Sequence, residues 1–241
     1  MLKYYADAGT SWCKILEISD GVEEFSSSPL SACEFELLDT PVGTGHFYII
    51  QSSKLSGLNI KFDSATGHMS KNKLVDGGKY ENEILALAYG SQKIINNLDD
   101  ATVVDLGSRD SKWVRFKDGK YKDLDWNGAC GSATGATIEM LCRYYDVSSS
   151  EIPFAKEKYP VTCGVFAMEK TMDDISSGNN PEIAISKYIH GIAYNTWNFA
   201  RKPQKIYLSG GFCKNKCFVE SLKNYCEVET LGRSVLVQGL L

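Results

Sequence analysis

The stretch YYADAGTSWCKILEISDG at residues 4–21 is repeated as TVVDLGSRDSKWVRFKDG at residues 102–119. Asp7 matches Asp105, Lys14 matches Lys112, and all matched residues, including the closing Asp-Gly pairs, are 98 positions apart. Each copy has a β-rich run, the motif D-x-G-[ST], a second alternating run and a final Asp-Gly, which is typical of a β-hairpin followed by a tight turn. The repeat therefore predicts two similar hairpins, one in each half of the chain.

The repeated motif has the chemistry of a polyphosphate site. Its glycine lets the backbone approach a ligand, and its hydroxyl and successive N–H groups can hold phosphate oxygens. Asp7 and Asp105, the predicted catalytic residues, can hold Mg²⁺ through its water shell. One copy alone could be ordinary turn chemistry, but two copies in the same register favour a clamp on a polyphosphate. The residues predicted to bind phosphate are Gly9, Thr10, Ser11, Lys14, Gly107 and Ser108.

A third glycine element, Ser209-Gly210-Gly211, follows a predicted strand at 206–208 and opens a helix. A glycine pair at such a turn lets the backbone approach a base or ribose, and the helix N-terminus favours phosphate. The alternative for this element alone is a simple tight turn. After two phosphate hairpins, however, it supplies the nucleoside contact that they lack.

Apolar spacing predicts helices at 76–98, 127–145, 166–176 and 182–200. Strands that precede a helix in each half indicate an α/β protein with two duplicated lobes, residues 1–98 and 99–241, around a nucleotide cleft. The C-terminal end is free to pack back on the first lobe. The three glycine elements in this order resemble the actin, sugar-kinase and chaperone-type ATPase superfamily, which implies a two-lobed actin-like fold that binds ATP or ADP.

The composition narrows the class of protein. The chain has 241 residues and a net charge of -4, which points to neither nucleic acid nor an anionic membrane as a partner. It has no stretch of about 18 apolar residues and no signal-peptide pattern at its start, so the predicted compartment is the cytoplasm. A reducing compartment argues against a disulfide framework for the eight cysteines, and the lack of a CxxC pair argues against zinc.

Two cysteines stand apart by their context, because Cys130 and Cys163 each precede a predicted helix. A helix N-terminus favours the thiolate and would stabilise an anionic thiolate-ligated cluster. Two thiolates per chain cannot complete the four ligands of a [4Fe–4S] cluster, whereas a two-fold dimer can. The alternative from spacing alone is that both are buried packing residues.

The chain resembles, over nearly its whole length, the activator ATPases of (R)-2-hydroxyacyl-CoA dehydratases and the related ATPase subunits of benzoyl-CoA reductases. The segments that carry the resemblance are ADAGTSWCK, SATGHMSK, ENEILALAYGS, VVDLGSRDSK, NGACGSATG, VTCGVFAMEK and LSGGFCKNKCFVESL. NGACGSATG and VTCGVFAMEK resemble the two cysteine motifs of the family and are the most specific. The chain departs from the family pattern at Leu87, which replaces a histidine, at Ser108, which replaces a glycine, and after Cys130.

The resemblance implies a role for each matched position. Asp110 and Gly135 join the nucleotide-binding residues, together with Ser209, Gly210 and Gly211. Asp7 and Asp105 hold Mg²⁺ through water, and Cys130 and Cys163 of two subunits share one [4Fe–4S] cluster. The chain is thereby expected to be a homodimeric ATPase that passes electrons to an iron–sulfur acyl-CoA dehydratase or reductase-like protein, with a reduced ferredoxin or flavodoxin as donor.

Two other functions fit part of the sequence. A small-molecule kinase of the same superfamily would use the repeat and the Gly-Gly element equally well, but not the cysteine pair. A non-catalytic ATP-binding assembly module would bind nucleotide only to set the geometry of an interface. The activator would be distinguished from both by two observations together: bound iron, and ATP turnover in the absence of an acceptor.

Overall fold

The computed structural model of the protein describes residues 2–19, 22–127, 134–161 and 163–241, with the backbone alone for residues 22–24. The chain divides into two compact units. The first unit comprises Met1–Asn96 together with Arg233–Leu241, and the second comprises Asn97–Gly232.

The first unit is built on a mixed sheet with strand order β3-β4-β2-β1-β5-β6. The strands β3, β4, β2 and β1 pair antiparallel, whereas β1, β5 and β6 pair parallel. The elements are β1 (Lys3–Ala8), β2 (Trp12–Ile18), β3 (Phe35–Thr40), β4 (Gly43–Gln51), β5 (Phe62–Thr66), β6 (Leu74–Tyr80), α1 (Glu83–Ile94) and α6 (Val235–Gln238).

Both faces of this sheet are covered near its centre. Successive side chains of a strand point to opposite faces, so Ile15 and Leu16 of β2 enter different apolar clusters. Ile15 packs with residues such as Phe62, whereas Leu16 packs with Phe47 and with Val237 of α6. The central strands β1 and β2 are thereby fixed from both sides.

The second unit has a mixed sheet with strand order β11-β10-β7-β8-β9. The strands β7, β8 and β9 form an antiparallel meander, and β10 pairs parallel with both β7 and β11. The elements are β7 (Asp100–Leu106), β8 (Ser111–Lys117), β9 (Lys120–Asn127), α2 (Gly135–Tyr144), α3 (Gly164–Ser176), α4 (Pro181–Phe199), β10 (Lys205–Gly210), α5 (Lys216–Lys223) and β11 (Glu227–Gly232).

Helix α4 is the buried centre of the helical layer in the second unit. Asn180 caps its start by accepting a hydrogen bond from the Ile183 amide, and Pro181 occupies the first turn, where its missing N–H costs nothing. Ile185, Ile189 and the neighbouring residues of one stripe are fully buried, since α2, α3 and α5 all pack against this helix. The helix predicted at 182–200 is confirmed, although Ile183, which the prediction placed on the apolar stripe, is 40% exposed.

The prediction of two repeated hairpins is confirmed. β1 and β2 form the first hairpin, in which Asp7 lies opposite Lys14, and β7 and β8 form the second, in which Asp105 lies opposite Lys112. The strand orders β6-β5-β1-β2-β4 and β11-β10-β7-β8-β9 follow the same pattern, so the duplication extends to the whole sheet and β3 is an addition to the first unit.

Two helix predictions are wrong at their N-terminal ends. Residues 76–80 belong to β6, because this segment pairs parallel with β5, and α1 begins only at Glu83 after the cap Asn82. Asn127 ends β9 opposite Ser111, and α2 begins at Gly135. Apolar spacing alone does not register the edge strand that precedes each helix.

The remaining helix predictions hold, with an earlier start at the second cysteine motif. The helix predicted at 166–176 begins at Gly164 and ends at Ser176. The predicted strand, glycine turn and helix near residue 210 correspond to β10, a short 3-10 turn and α5. No helix within the described ranges combines the length and the apolar character that a membrane crossing requires.

Candidate functional site

The first hairpin brings one carboxylate and one ammonium group together. Asp7 lies near the carboxyl end of β1 and is buried, and Lys14 lies directly opposite on β2. Lys14 Nζ is 2.7 Å from Asp7 Oδ2. The Lys14 side chain keeps 17% of its surface exposed.

The loop between β1 and β2 carries the predicted phosphate-binding residues and is held by Ser52. The Ser52 hydroxyl donates a hydrogen bond to the Gly9 carbonyl at 2.7 Å, and the Ser52 amide donates to the Ser11 carbonyl at 2.9 Å. Both contacts use loop carbonyls and so fix the orientation of the peptide groups. Sequence reasoning missed Ser52, because its approach depends on the pairing of β2 with β4, in which Trp12 lies opposite Gln51.

The second hairpin has a more elaborate charge cluster. Lys112 is only 3% exposed, and its Nζ lies 3.2 Å from Asp110 Oδ2 and 3.7 Å from Asp105 Oδ1. The indole Nε1 of Trp126 donates to Asp110 Oδ2 at 2.7 Å. Because a buried ammonium group requires nearby carboxylates, Asp105 and Asp110 both stabilise Lys112. Trp126 gave no signal in the sequence, since only the pairing of β8 with β9 brings it here.

The second hairpin loop is joined to the start of α2. The Gly135 amide donates to the Gly107 carbonyl at 3.2 Å, and the Ala136 amide donates to the Ser108 carbonyl at 3.0 Å. The Thr134 hydroxyl also donates to the Ser108 carbonyl, at 2.5 Å. The structure therefore brings Gly107, Ser108 and Gly135 together. All three were predicted to bind the nucleotide, and such a shared site requires them to be close.

The predicted nucleoside element lies beside the second hairpin. β10 pairs with β7 so that Ser209 lies opposite Asp105, and the Ser209 hydroxyl donates to Asp105 Oδ2 at 2.7 Å. Gly210 has a φ of 93°, and a Cβ there would lie 2.6 Å from the Leu106 carbonyl oxygen. Only glycine fits this turn. Gly211 begins the 3-10 turn that precedes α5.

The segment SATGHMSK lies in the corresponding position beside the first hairpin. Gly67 has a φ of 87°, and a Cβ there would lie 2.4 Å from the Ala8 carbonyl oxygen. The Met69 amide donates to the same carbonyl at 3.0 Å. Thr66 lies opposite Asp7 in the parallel pairing of β5 with β1. The site residues predicted from the sequence did not include Thr66 and Gly67, although both lie in SATGHMSK, one of the segments that carry the family resemblance.

Cys163 occupies the N-cap position of α3 and is partly exposed. The segment before it is held along α4, because the Asn195 side-chain amide donates to the Val161 carbonyl and the Tyr159 amide donates to the Lys187 carbonyl. The thiol of Cys163 thus lies at a helix N-terminus, as the sequence predicts. Cys130, the other predicted cluster ligand, lies outside the described residues.

The other cysteines differ from Cys163 in their surroundings. The seven cysteines that the structure describes are all free thiols. Burial raises the pKa of the Cys142, Cys217 and Cys226 thiols to about 11, and burial together with the Asp7 charge raises the pKa of the Cys13 thiol to about 12. These four are protonated near neutral pH. Within the described ranges, no group of three or more His, Cys, Asp or Glu side chains is arranged to hold a metal ion.

Comparisons with known proteins agree with this architecture. Residues 64–238 match the family model described as the BadF/BadG/BcrA/BcrD ATPase family. The chain is 24% identical to the activator of lactoyl-CoA dehydratase from Anaerotignum propionicum, covering 93% of this chain and 88% of that protein. It is 22% identical to the (R)-2-hydroxyglutaryl-CoA dehydratase activating ATPase from Acidaminococcus fermentans, covering 87% of this chain and 82% of that protein.

Solved structures establish the fold. The activator of the 2-hydroxyisocaproyl-CoA dehydratase from Clostridium difficile, with bound ADPNP, superposes with a TM-score of 0.74 at 17% identity over 100% of this chain and 92% of that chain. Component A of the Acidaminococcus fermentans (R)-2-hydroxyglutaryl-CoA dehydratase gives a TM-score of 0.73 at 18% identity, covering 100% of this chain and 96% of that chain. The predicted α/β actin-like fold is therefore confirmed.

Proposed function

Because this chain belongs to the BadF/BadG/BcrA/BcrD ATPase family, we propose that it uses ATP hydrolysis to drive electron transfer through an iron–sulfur cluster. Family membership identifies the chain as an ATPase that binds ATP and ADP. The observation that carries the electron-transfer part of the proposal is the thiol of Cys163, free and partly exposed at the N-cap of α3.

The two hairpins supply the groups that phosphoryl transfer requires. Asp7 and Asp105 are buried carboxylates at the carboxyl ends of parallel-paired strands, the edge where α/β sheets bind ligands. These carboxylates would hold Mg²⁺ through water, and the ion would supply charge neutralisation for the phosphates. The groups that hold phosphate oxygens and the nucleoside are Gly9, Thr10, Ser11, Lys14, Gly107, Ser108, Asp110, Gly135, Ser209, Gly210 and Gly211.

The cysteine site fits an anionic cluster. The first N–H groups of a helix are unpaired within the helix and carry a partial positive charge, which stabilises a thiolate at the N-cap. Cys163 has this position, whereas the raised pKa of Cys142, Cys217 and Cys226 keeps those thiols protonated. A [4Fe–4S] cluster held by these thiolates would supply one-electron transfer.

A homodimer completes this set of ligands. Two thiols per chain, Cys130 and Cys163, give four thiolates when two copies meet at a two-fold axis. The surface next to Cys163 supports such a contact, because Val165 and Phe166 in the first turn of α3 are 50% and 70% exposed. Apolar side chains exposed together mark surfaces that another protein covers.

The proposed acceptor is a 2-hydroxyacyl-CoA dehydratase-like or benzoyl-CoA reductase-like iron–sulfur protein, and the proposed donor is a reduced ferredoxin or flavodoxin. The named functions of the relatives support the acceptor, since two of them activate CoA-ester dehydratases. ATP hydrolysis drives the electron uphill if the nucleotide changes the conformation of the helices that begin at the cysteines.

The decisive experiment separates the cysteine site from the nucleotide site. Protein purified without oxygen is analysed for iron, sulfide, visible absorbance, molar mass and Mg-dependent ATP hydrolysis. Wild type is expected to be a dimer with one four-iron cluster. Cys163→Ser is expected to lose the iron and keep ATP binding, whereas the matched variant Cys226→Ser, another half-buried thiol of the same unit, keeps both.

The aspartates provide the reciprocal test. Asp7→Asn and Asp105→Asn are expected to lower ATP hydrolysis by about 10²- to 10³-fold, a typical effect of removing one charge-stabilising group, and to keep the iron. Wild-type iron content in Cys163→Ser, or a wild type that never takes up iron, would exclude the electron-transfer function. A kinase or a non-catalytic ATP-binding module would then explain the fold.

A further inference from the structure

Thr66, at the carboxyl end of β5, has a buried hydroxyl that no described residue contacts by a hydrogen bond. The residue is fully buried, and its Oγ1 has no hydrogen-bond partner among the residues that the structure describes. Taking a hydroxyl out of water without a partner destabilises a protein. A buried orphan of this kind next to a ligand-binding loop calls for a functional explanation.

The second hairpin provides the counterpart of Thr66. Asp7 lies opposite Thr66 in the pairing of β1 with β5, as Asp105 lies opposite Ser209 in the pairing of β7 with β10. Each hydroxyl residue is followed by a glycine of positive φ, and a Cβ on that glycine would meet the carbonyl oxygen of Ala8 or Leu106, which are matched positions of the repeat. Thr66 and Ser209 are therefore equivalent residues of the two halves.

The two equivalent hydroxyls nevertheless differ in their contacts. Ser209 donates to Asp105 Oδ2 at 2.7 Å, while Lys112 lies 3.7 Å from the other oxygen of Asp105. In the first half, the donor to the aspartate is the lysine and not the hydroxyl, because Lys14 Nζ donates to Asp7 Oδ2 at 2.7 Å. Residues opposite each other in a parallel pair share a face of the sheet, so Thr66 lies on the same face as Asp7.

We propose that Thr66 is a positioning residue for Asp7, whose hydroxyl donates to the Asp7 carboxylate when a polyphosphate draws Lys14 away. This inference rests on the proposed ATPase function of the hairpins. Phosphate oxygens at the Gly9–Ser11 loop carry more negative charge than one carboxylate and compete with it for Lys14. Lys14 can respond, because its side chain is 17% exposed, compared with 3% for Lys112.

The exchange satisfies both buried groups at once. Asp7 is 6% exposed and would otherwise lose the charged donor Lys14 within a buried site. Thr66 supplies a replacement hydrogen bond from a strand neighbour whose position is already set by Gly67 and the Ala8 carbonyl. The carboxylate then keeps its orientation through the exchange, as Asp105 does permanently through Ser209.

The test uses Thr66→Val, which keeps the shape and removes the hydroxyl. Without nucleotide, the variant is expected to melt about 2–4 °C higher than wild type, because an unpaired buried hydroxyl has been removed. With Mg²⁺ and a non-hydrolysable ATP analogue, its binding is expected to be about 10- to 100-fold weaker, the typical loss of a hydrogen bond to a charged group. Thr66→Ser should restore binding to within about threefold of wild type.

Ser209→Ala is the matched control in the other half, since that hydroxyl is already bonded. It is expected to lower the melting temperature without nucleotide, which is the opposite sign from Thr66→Val. A Thr66→Val protein that melts lower than wild type without nucleotide, or binds the analogue as tightly as wild type, would overturn the inference. Failure of wild type itself to bind the analogue would instead refute the proposed ATPase function.

Discussion

The two hairpins share one backbone pattern but stabilise their aspartates differently. Asp7 is held by Lys14 in a pair of zero net charge, whereas Asp105 is held by Ser209 and by Lys112, which also contacts Asp110. The second cluster therefore carries one more negative charge. Asp110 has no acidic counterpart in the first copy, where the matched residue is the tryptophan at position 12.

The two halves also differ in how firmly their lysines are held. The Lys112 side chain is almost completely buried beside two carboxylates. If the lysine moved away, the negative charges of Asp105 and Asp110 would lose the positive charge that compensates them. Lys14 keeps 17% of its side-chain surface exposed to solvent. A duplicated scaffold can thus place equivalent lysines in different environments, Lys112 almost fully buried and Lys14 partly exposed.

The largest expected difference between the halves is in the cost of losing the lysine. Lys112→Met is expected to lower the free energy of unfolding by about 3–5 kcal/mol, because it leaves the buried Asp105 carboxylate and the partly buried Asp110 carboxylate without their cation. Lys14→Met, the matched variant, is expected to cost no more than about 2 kcal/mol, since this pair is intermediate between surface and core. Urea unfolding of each variant measures both values, and equal losses would remove the distinction.

The glycines after the two hydroxyl residues test the similarity of the halves. Gly67→Ala and Gly210→Ala are each expected to cost about 2–3 kcal/mol, because the new Cβ meets a backbone carbonyl in a left-handed conformation. Gly232→Ala is the control, since its φ is also positive but nothing lies within 4 Å of its Cβ. We expect about 1 kcal/mol for that variant by thermal unfolding. An equal cost at all three positions would mean that φ alone matters.

A smaller effect is expected at Ser209. Ser209→Ala removes the hydrogen bond to Asp105 Oδ2 and is expected to cost about 1–2 kcal/mol of unfolding free energy. Denaturant titration of this variant beside Thr66→Val measures how far the two halves differ. If both substitutions destabilise the protein equally, the hydroxyls are used alike and the asymmetry between the halves is confined to the lysines.

The smallest effect concerns Trp126, which belongs to the second half alone. Trp126→Phe keeps a ring near Lys112 but removes the indole donor to Asp110, and is expected to cost about 0.5–1 kcal/mol because the contact is exposed. The measurement is again the urea midpoint. A loss as large as that of Lys112→Met would show that Trp126, and not the buried lysine, controls the cluster.

The sequence predicted the repeated hairpins and the position of Cys163 before a helix, because both depend on local patterns. Alternation, the D-x-G-[ST] turn and Asp-Gly lie within 18 residues, and the register of Asp7 against Lys14 follows from the turn between them. The edge strand β6 was missed, since Leu74–Tyr80 is a strand only through its pairing with β5. Ser52 and Trp126 were missed for the same reason, as each reaches its loop through strand pairing.

By itself, the sequence determined that this chain carries two equivalent aspartate hairpins, a Gly-Gly element and a cysteine motif, since these are short patterns with a fixed spacing. Only the tertiary structure decided which group donates a hydrogen bond to the carboxylate of each aspartate. Ser209 is 104 positions from Asp105, and parallel pairing of strands that distant in the chain brings the hydroxyl to the carboxylate. Which of two equivalent lysines is buried likewise depends on packing from other elements, and no local pattern carries that information.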